Sequence, residues 1–112
     1  MFTVVKVEKN NFMIAIGQKY TCSLTVTEEV TAEKVGSGDV PVLATPMLLA
    51  LMEKAAMLSV KDSLPEGCTT VGSYIESTHL KPSFLGDGIS ATAEVSKVEG
   101  KKIEFKISAR SG

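Results

Sequence analysis

The stretch 47–60 constrains this chain most, because only Glu53, Lys54 and Ser59 are polar in a run of Met, Leu, Ala and Val. Thr45 and Pro46 stand just ahead of it. Threonine is a good N-cap, and proline at the first helical position forfeits no hydrogen bond, so the segment predicts a helix capped by Thr45. Pro65 and Gly67 are placed to stop it after about four to five turns. Lys54 and Lys61 mark a narrow solvated edge, which implies a helix buried on most sides. Glu53 projects about 100° away from Lys54, together with Leu49, Ala56 and Val60. That phase puts a carboxylate on an apolar stripe, where a charge is costly unless it has a partner or a task.

Around the helix the period changes to two. Tyr20, Cys22, Leu24 and Val26 alternate with Thr21, Ser23, Thr25 and Thr27, the pattern of a strand with one wet face. Gly36, Gly38 and Pro41 turn residues 30–44 into a loop or short helical turn. Val71, Ser73, Ile75, Ser77 and His79 alternate with Gly72, Tyr74, Glu76, Thr78 and Leu80, until Pro82 and Gly86-Asp87-Gly88 break the run. Ile89 to Val98 and Lys101 to Arg110 read as an antiparallel hairpin through Glu99-Gly100. The first sixteen residues also read as a hairpin, Phe2 to Val7 against Phe12 to Ile16 around Asn10-Asn11. One long apolar helix followed by consecutive antiparallel strands predicts an α+β domain whose sheet wraps the helix. At 112 residues the chain supports one domain with a modest core, so a large substrate must bind at a surface or a subunit boundary.

Composition removes several functions. A net charge of −1, with 5% aromatic residues and no Trp, provides neither the basic field nor the stacking platforms of a nucleic-acid binder. Cys22 and Cys68 form no CxxC pair and have no His or Cys cluster around them, so neither a zinc site nor a redox motif is indicated. Thiols in a reducing compartment are the favoured reading over a disulfide. No basic-then-apolar leader and no apolar run near the ~20 residues of a membrane span occur, so the expectation is a cytoplasmic protein without a membrane partner. No metal and no separate cofactor are expected.

Chemistry concentrates on three side chains. His79 is the only histidine, and its ordinary pKa of ~6.5 suits it to accept and return a proton at neutral pH. Glu53 could attack a carbonyl, orient a water or hold the imidazole; Thr45 could attack, or hydrogen-bond Glu53 or a substrate. A helix N-terminus at Thr45 would also favour a developing negative charge. Hydroxyl, carboxylate and imidazole are the parts of acyl-transfer chemistry. Each has a plainer reading: Thr45 as a cap, Glu53 as the partner of a strand residue, His79 as a structural or exposed histidine. Met47, Met52 and Met57 read as adaptable core.

The segment A-T-P-x-x-x-x-L-M-E at 44–53, T-V-G at 70–72, His79 and V-E-G-K-K at 98–102 resemble the hotdog-fold thioesterases, most closely the fluoroacetyl-CoA thioesterase group, over about residues 17–112. The resemblance implies a single hotdog domain that hydrolyses an acyl-CoA thioester at a dimer interface. CoA enters as part of the substrate, and the homodimer forms by edge-to-edge pairing of sheets. In that family the helix of one subunit and a strand near it supply the site. Carried over by position, the catalytic residues are Thr45, Glu53 and His79, with Gly72 lining the acyl or thioester pocket. The plainer reading of Gly72 is a strand glycine at a bulge or a close backbone approach. The family pattern continues past 103–110 into one more strand carrying a basic residue, which is absent after 112; residues 2–7 are expected to fill that slot. The family's aromatic lid position is Asp39 here, which argues against selectivity for fluoroacetate. Lys81, Lys97, Lys101 and Lys102 are candidates for CoA phosphates, or simply a solvated sheet edge. The alternative to a hydrolase is a non-catalytic hotdog domain that binds acyl-CoA or another acyl carrier.

Overall fold

Alternation and apolar runs become five strands and two helices in the computed structural model, which describes residues 2–7, 14–64, 69–76, 81–100 and 102–111. In chain order these are β1 (Phe2–Val7), β2 (Lys19–Thr25), the short α1 (Ala32–Val35), α2 (Thr45–Val60), β3 (Thr70–Glu76), β4 (Gly88–Glu99) and β5 (Lys102–Ser111). The strands form one antiparallel sheet in the order β2-β4-β5-β1-β3. α2 lies across β2 and β4 and touches β5 less. This is the α+β arrangement that the apolar helix required. No helix among the described residues is long and apolar enough to cross a membrane.

The start of α2 differs by one residue from expectation. Ala44, extended at φ −67° and ψ 133°, is the N-cap, and no side chain caps the helix; Thr45 is its first helical residue. The reason is burial. Ala44 is fully enclosed, its N–H donates to the Val30 carbonyl at 2.9 Å, and its own carbonyl accepts from Met47 and Leu48. A site so enclosed takes a small apolar residue, and tertiary packing outweighs capping preference. At the far end α2 passes into a single 3₁₀ turn, Lys61–Ser63, ahead of Pro65. Gln18 there donates from Nε2 to the Ser59 carbonyl at 3.1 Å and to Ser63 Oγ at 3.0 Å, satisfying a helix-end acceptor.

The core lies between α2 and the sheet. Leu51, Met52, Ala55, Ala56 and Val60 face Ile89, Ala91, Ala93 and Val95 of β4 and Ile103, Phe105 and Ile107 of β5, all buried. The other side of the helix is less covered than expected. Ala50, Glu53 and Lys54 are exposed, and Leu49 and Met57 are half-buried, so Glu53 stands at the edge of the buried stripe rather than inside it.

The β4–β5 hairpin turns at Gly100, whose φ of 58° favours glycine. The amino-terminal hairpin, by contrast, is not formed. β1 has both edges occupied, pairing from Phe2–Lys6 with Lys106–Lys102 of β5 on one side and with β3 on the other. Of 12–16, residues 14–16 are described and carry no strand. A strand inserted between two others satisfies its donors and acceptors on both sides, which a two-stranded hairpin does not.

β3 carries a bulge. β1 pairs Val4 with Tyr74 and Val5 with Gly72, so the ladder skips Ser73. One inserted residue reverses strand parity, and Gly72 therefore shares a face with Ile75, three positions on. Tyr74 and Glu76 take the opposite, exposed face, where the Tyr74 hydroxyl donates to Glu76 Oε2 at 2.8 Å. That bond to a carboxylate raises the phenol's pKa. Phe105, enclosed beneath α2, is the largest fully buried side chain among the described residues. Phe105→Ala is expected to destabilise the protein by about 3–5 kcal/mol, seen as a lower urea midpoint at unchanged slope.

Candidate active site

Thr45 is held at the end of a clamped segment. Ala32 N–H donates to the Val42 carbonyl at 2.7 Å, Leu43 N–H to the Ser83 carbonyl at 2.8 Å, and Val42 bridges Phe84. These bonds fix the chain entering α2 between α1 and the segment before β4, and leave Thr45 exposed. The helix end offers fewer free donors than expected. Pro46 has no N–H, and those of Met47 and Leu48 both go to the Ala44 carbonyl, at 3.0 and 3.1 Å.

Glu53 meets the sheet at Gly72. A Cβ built on Gly72 would lie 2.5 Å from Glu53 Oε2 and 3.5 Å from its Cδ. The carboxylate therefore occupies the space where any other residue at 72 would carry its side chain. Both readings of this glycine hold together: it adjoins the bulge, and it permits a close approach. The contact sits on β3, an edge strand of the sheet, and Glu53 and Gly72 are both exposed in the single chain.

The structure joins Glu53 with Gly72 and separates Glu53 from Thr45. Eight residues along α2 amount to ~12 Å of rise, so a hydrogen bond between Thr45 and Glu53 of one chain is ruled out. Ser77 and His79 lie outside the described residues, as do Cys68 and Lys101. Cys22 is a buried free thiol. Asp39 is exposed in the loop after Gly36. Lys97 pairs with Glu99 at 3.1 Å, which raises its pKa, while Lys81 and Lys102 are exposed. A shallow depression lined by Ser23, Leu24, Thr25, Gly88, Ile89 and Ser90 lies at the opposite edge of the sheet and contains no titratable side chain.

A family model described as fluoroacetyl-CoA-specific thioesterase matches residues 26–112. The chain belongs to that family. The match takes in Thr45, Glu53, Gly72 and His79, and begins just after β2. The fluoroacetyl-CoA thioesterase of Streptantibioticus cattleyicolor is 28% identical over 103 residues, 87% of this chain and 74% of that protein. A crystal structure of a variant of the fluoroacetyl-CoA-specific thioesterase in complex with fluoroacetate and CoA superposes with a TM-score of 0.79 at 26% identity, covering 88% of this chain and 84% of that one. A Thermus thermophilus hypothetical protein of the thioesterase superfamily gives a TM-score of 0.80 at 30% identity, covering 88% and 73% of the two chains. The hotdog architecture expected from the sequence is that of the matched structures.

Because Thr45 caps nothing, Thr45→Ala should change the folding free energy by less than about 0.5 kcal/mol, where loss of an N-cap costs ~1. Urea unfolding checks this, and makes any activity lost by the variant a matter of chemistry rather than folding.

Proposed function

We propose that this chain hydrolyses a small acyl-CoA thioester to the free acid and CoA, with Thr45, Glu53 and His79 as catalytic residues and Gly72 at the acyl pocket. Membership of a thioesterase family makes the protein a thioester hydrolase; the observation supporting this placement of the site is the Glu53 carboxylate standing on Gly72 at an open sheet edge. Attack comes from the Thr45 hydroxyl, from Glu53, or from a water that Glu53 orients. His79 takes the proton of a hydroxyl or water nucleophile as the new C–O bond forms and the carbonyl becomes an oxyanion. When that intermediate collapses the C–S bond breaks and the departing thiolate takes a proton, from His79 where a hydroxyl or water attacked and from solvent where Glu53 attacked. Water attack releases the acid directly. Attack by Thr45 or Glu53 leaves an acyl-enzyme, whose acyl–oxygen bond a second water, deprotonated by His79, then hydrolyses to the free acid. With Asp39 at the lid position, the acyl group need not be fluorinated. The reading includes a cytoplasmic location, which the buried free Cys22 supports.

The site we propose is shared by two subunits. Thr45 and Glu53 of one chain are ~12 Å apart along the helix, too far to act on one carbonyl. His79 stands four residues before Ser83, whose carbonyl accepts from Leu43, and this short tether supports its belonging with Thr45. Antiparallel pairing of two β3 edges about a two-fold axis would turn Glu53 of one subunit toward the Thr45 end of the other. It would also cover the half-buried Leu49 and Met57 beside Glu53.

Thiol release from a panel of short-chain acyl-CoAs tests the chemistry: His79→Ala should lower kcat by about 10²–10⁴. Activity surviving that change would overturn the mechanism, and binding without turnover would favour the non-catalytic reading. Mixing Thr45→Ala and Glu53→Gln proteins, each reduced to a small residual rate, tests the shared site. Random exchange in a two-fold dimer should restore about a quarter of wild-type activity, whereas a site within one chain restores none.

A further inference from the structure

We propose that the bulge at Ser73 and the glycine beside it form a positioning element for the Glu53 carboxylate. This rests on the reading of Glu53 as a catalytic residue and adds the reason it points where it does. In a regular ladder, residue 72 would share a face with Tyr74 and Glu76, whose hydrogen-bonded pair lies on the exposed side. Skipping Ser73 in the pairing with β1 moves position 72 to the face of Ile75, the face that Glu53 reaches from α2. The bulge alone would not suffice there. A side chain at 72 would fill the space, since its Cβ would stand 2.5 Å from Oε2. Bulge and glycine together leave room on an edge strand for the Glu53 carboxyl, which stands where a Cβ at 72 would be.

That room matters because of what else holds Glu53. Its side chain has three rotatable bonds and is exposed, and among the described residues it has no ion-pair or side-chain hydrogen-bond partner. Among the described residues, the contact at Gly72 is what constrains its direction. Gly72 is a positioning residue acting through Glu53, distinct from any contact its backbone makes with substrate.

The substitution that tests this is Gly72→Ala. The atom a new methyl would displace is the far end of a flexible side chain, so the variant should fold with a melting temperature close to wild type. The displaced carboxylate should lower kcat by about 10- to 100-fold with KM changed less than about twofold, as expected for a misplacement near 1 Å. In a Glu53→Gln background, where the acid is already lost, Gly72→Ala should cost no further activity. An equal loss in both backgrounds would overturn the proposal, and so would a KM effect alone.

A readout independent of turnover separates this proposal from the hydrolase reading. The carbon-13 carboxyl resonance of Glu53, assigned by its disappearance in Glu53→Gln, should shift in Gly72→Ala. An unmoved resonance overturns the contact at Gly72 even in an active enzyme. Absence of turnover with every acyl-CoA would overturn the catalytic part while the resonance still decides the contact. If Gly72→Ala fails to fold, recovery of folding in Gly72→Ala with Glu53→Ala supports the steric cause, and failure of both overturns it.

Discussion

The distance between α2 and the sheet is set by alanines, and the rest of the structure follows from it. Ala55 and Ala56 on the helix and Ala91 and Ala93 on β4 are all fully buried. Small side chains at facing positions let the helix settle close to β4, while Leu51, Met52, Val60, Ile103 and Phe105 fill the flanks. Because this contact lies over β2 and β4, the helix is offset from the middle of the sheet, and β3 at the far edge is left with little cover. Glu53 reaches that edge from the rim of the buried stripe. The offset that leaves an acid in water is therefore a result of packing.

Local pattern was enough for much of the fold. Alternation located β2 and the β4–β5 hairpin to within a residue or two, and the apolar run located α2. Each of these depends on neighbours close in sequence. Ala44 as N-cap depends instead on its burial against Val30, which no capping preference encodes. The hairpin expected over residues 1–16 shows the same limit, whereas the expectation of residues 2–7 beside 103–110 came from the family's strand order and not from local pattern. Asn10-Asn11 is a reasonable local turn signal, but the better partners for β1 lie in β3 and β5, far along the chain. The skip at Ser73 was visible only as a glycine in a strand, since a bulge is a property of two strands matched together.

For the site, helical phase grouped Glu53 with Leu49, Ala56 and Val60, and the residue stands exposed at the edge of that stripe. Phase states which residues share a face; it does not state which faces a small sheet can cover. The separation of Thr45 from Glu53 was already present in the sequence, since eight helical residues span ~12 Å in any fold. What the sequence did not contain is the placement of the acid beside an edge strand that a second subunit could extend. Family membership over residues 26–112 then gives the class of reaction, and the contact of Glu53 with Gly72 is the observation on which the proposed site rests.

The place of β1 also bears on the order in which this protein can assemble. β3 joins the sheet only through β1, and β1 pairs Phe2 with Lys106, roughly a hundred residues away. α2 can dock on β2, β4 and β5 by contacts that need neither β1 nor β3. Closing the longest loop in the molecule comes after that core exists, because its entropy must be recovered from pairing on both edges of one six-residue strand. The strand that carries Gly72 is thus fastened to the sheet through the strand whose pairing spans the most sequence. In native-state hydrogen exchange the β1–β3 edge would behave as a separate, weaker cooperative unit riding on a stable helix-and-sheet core.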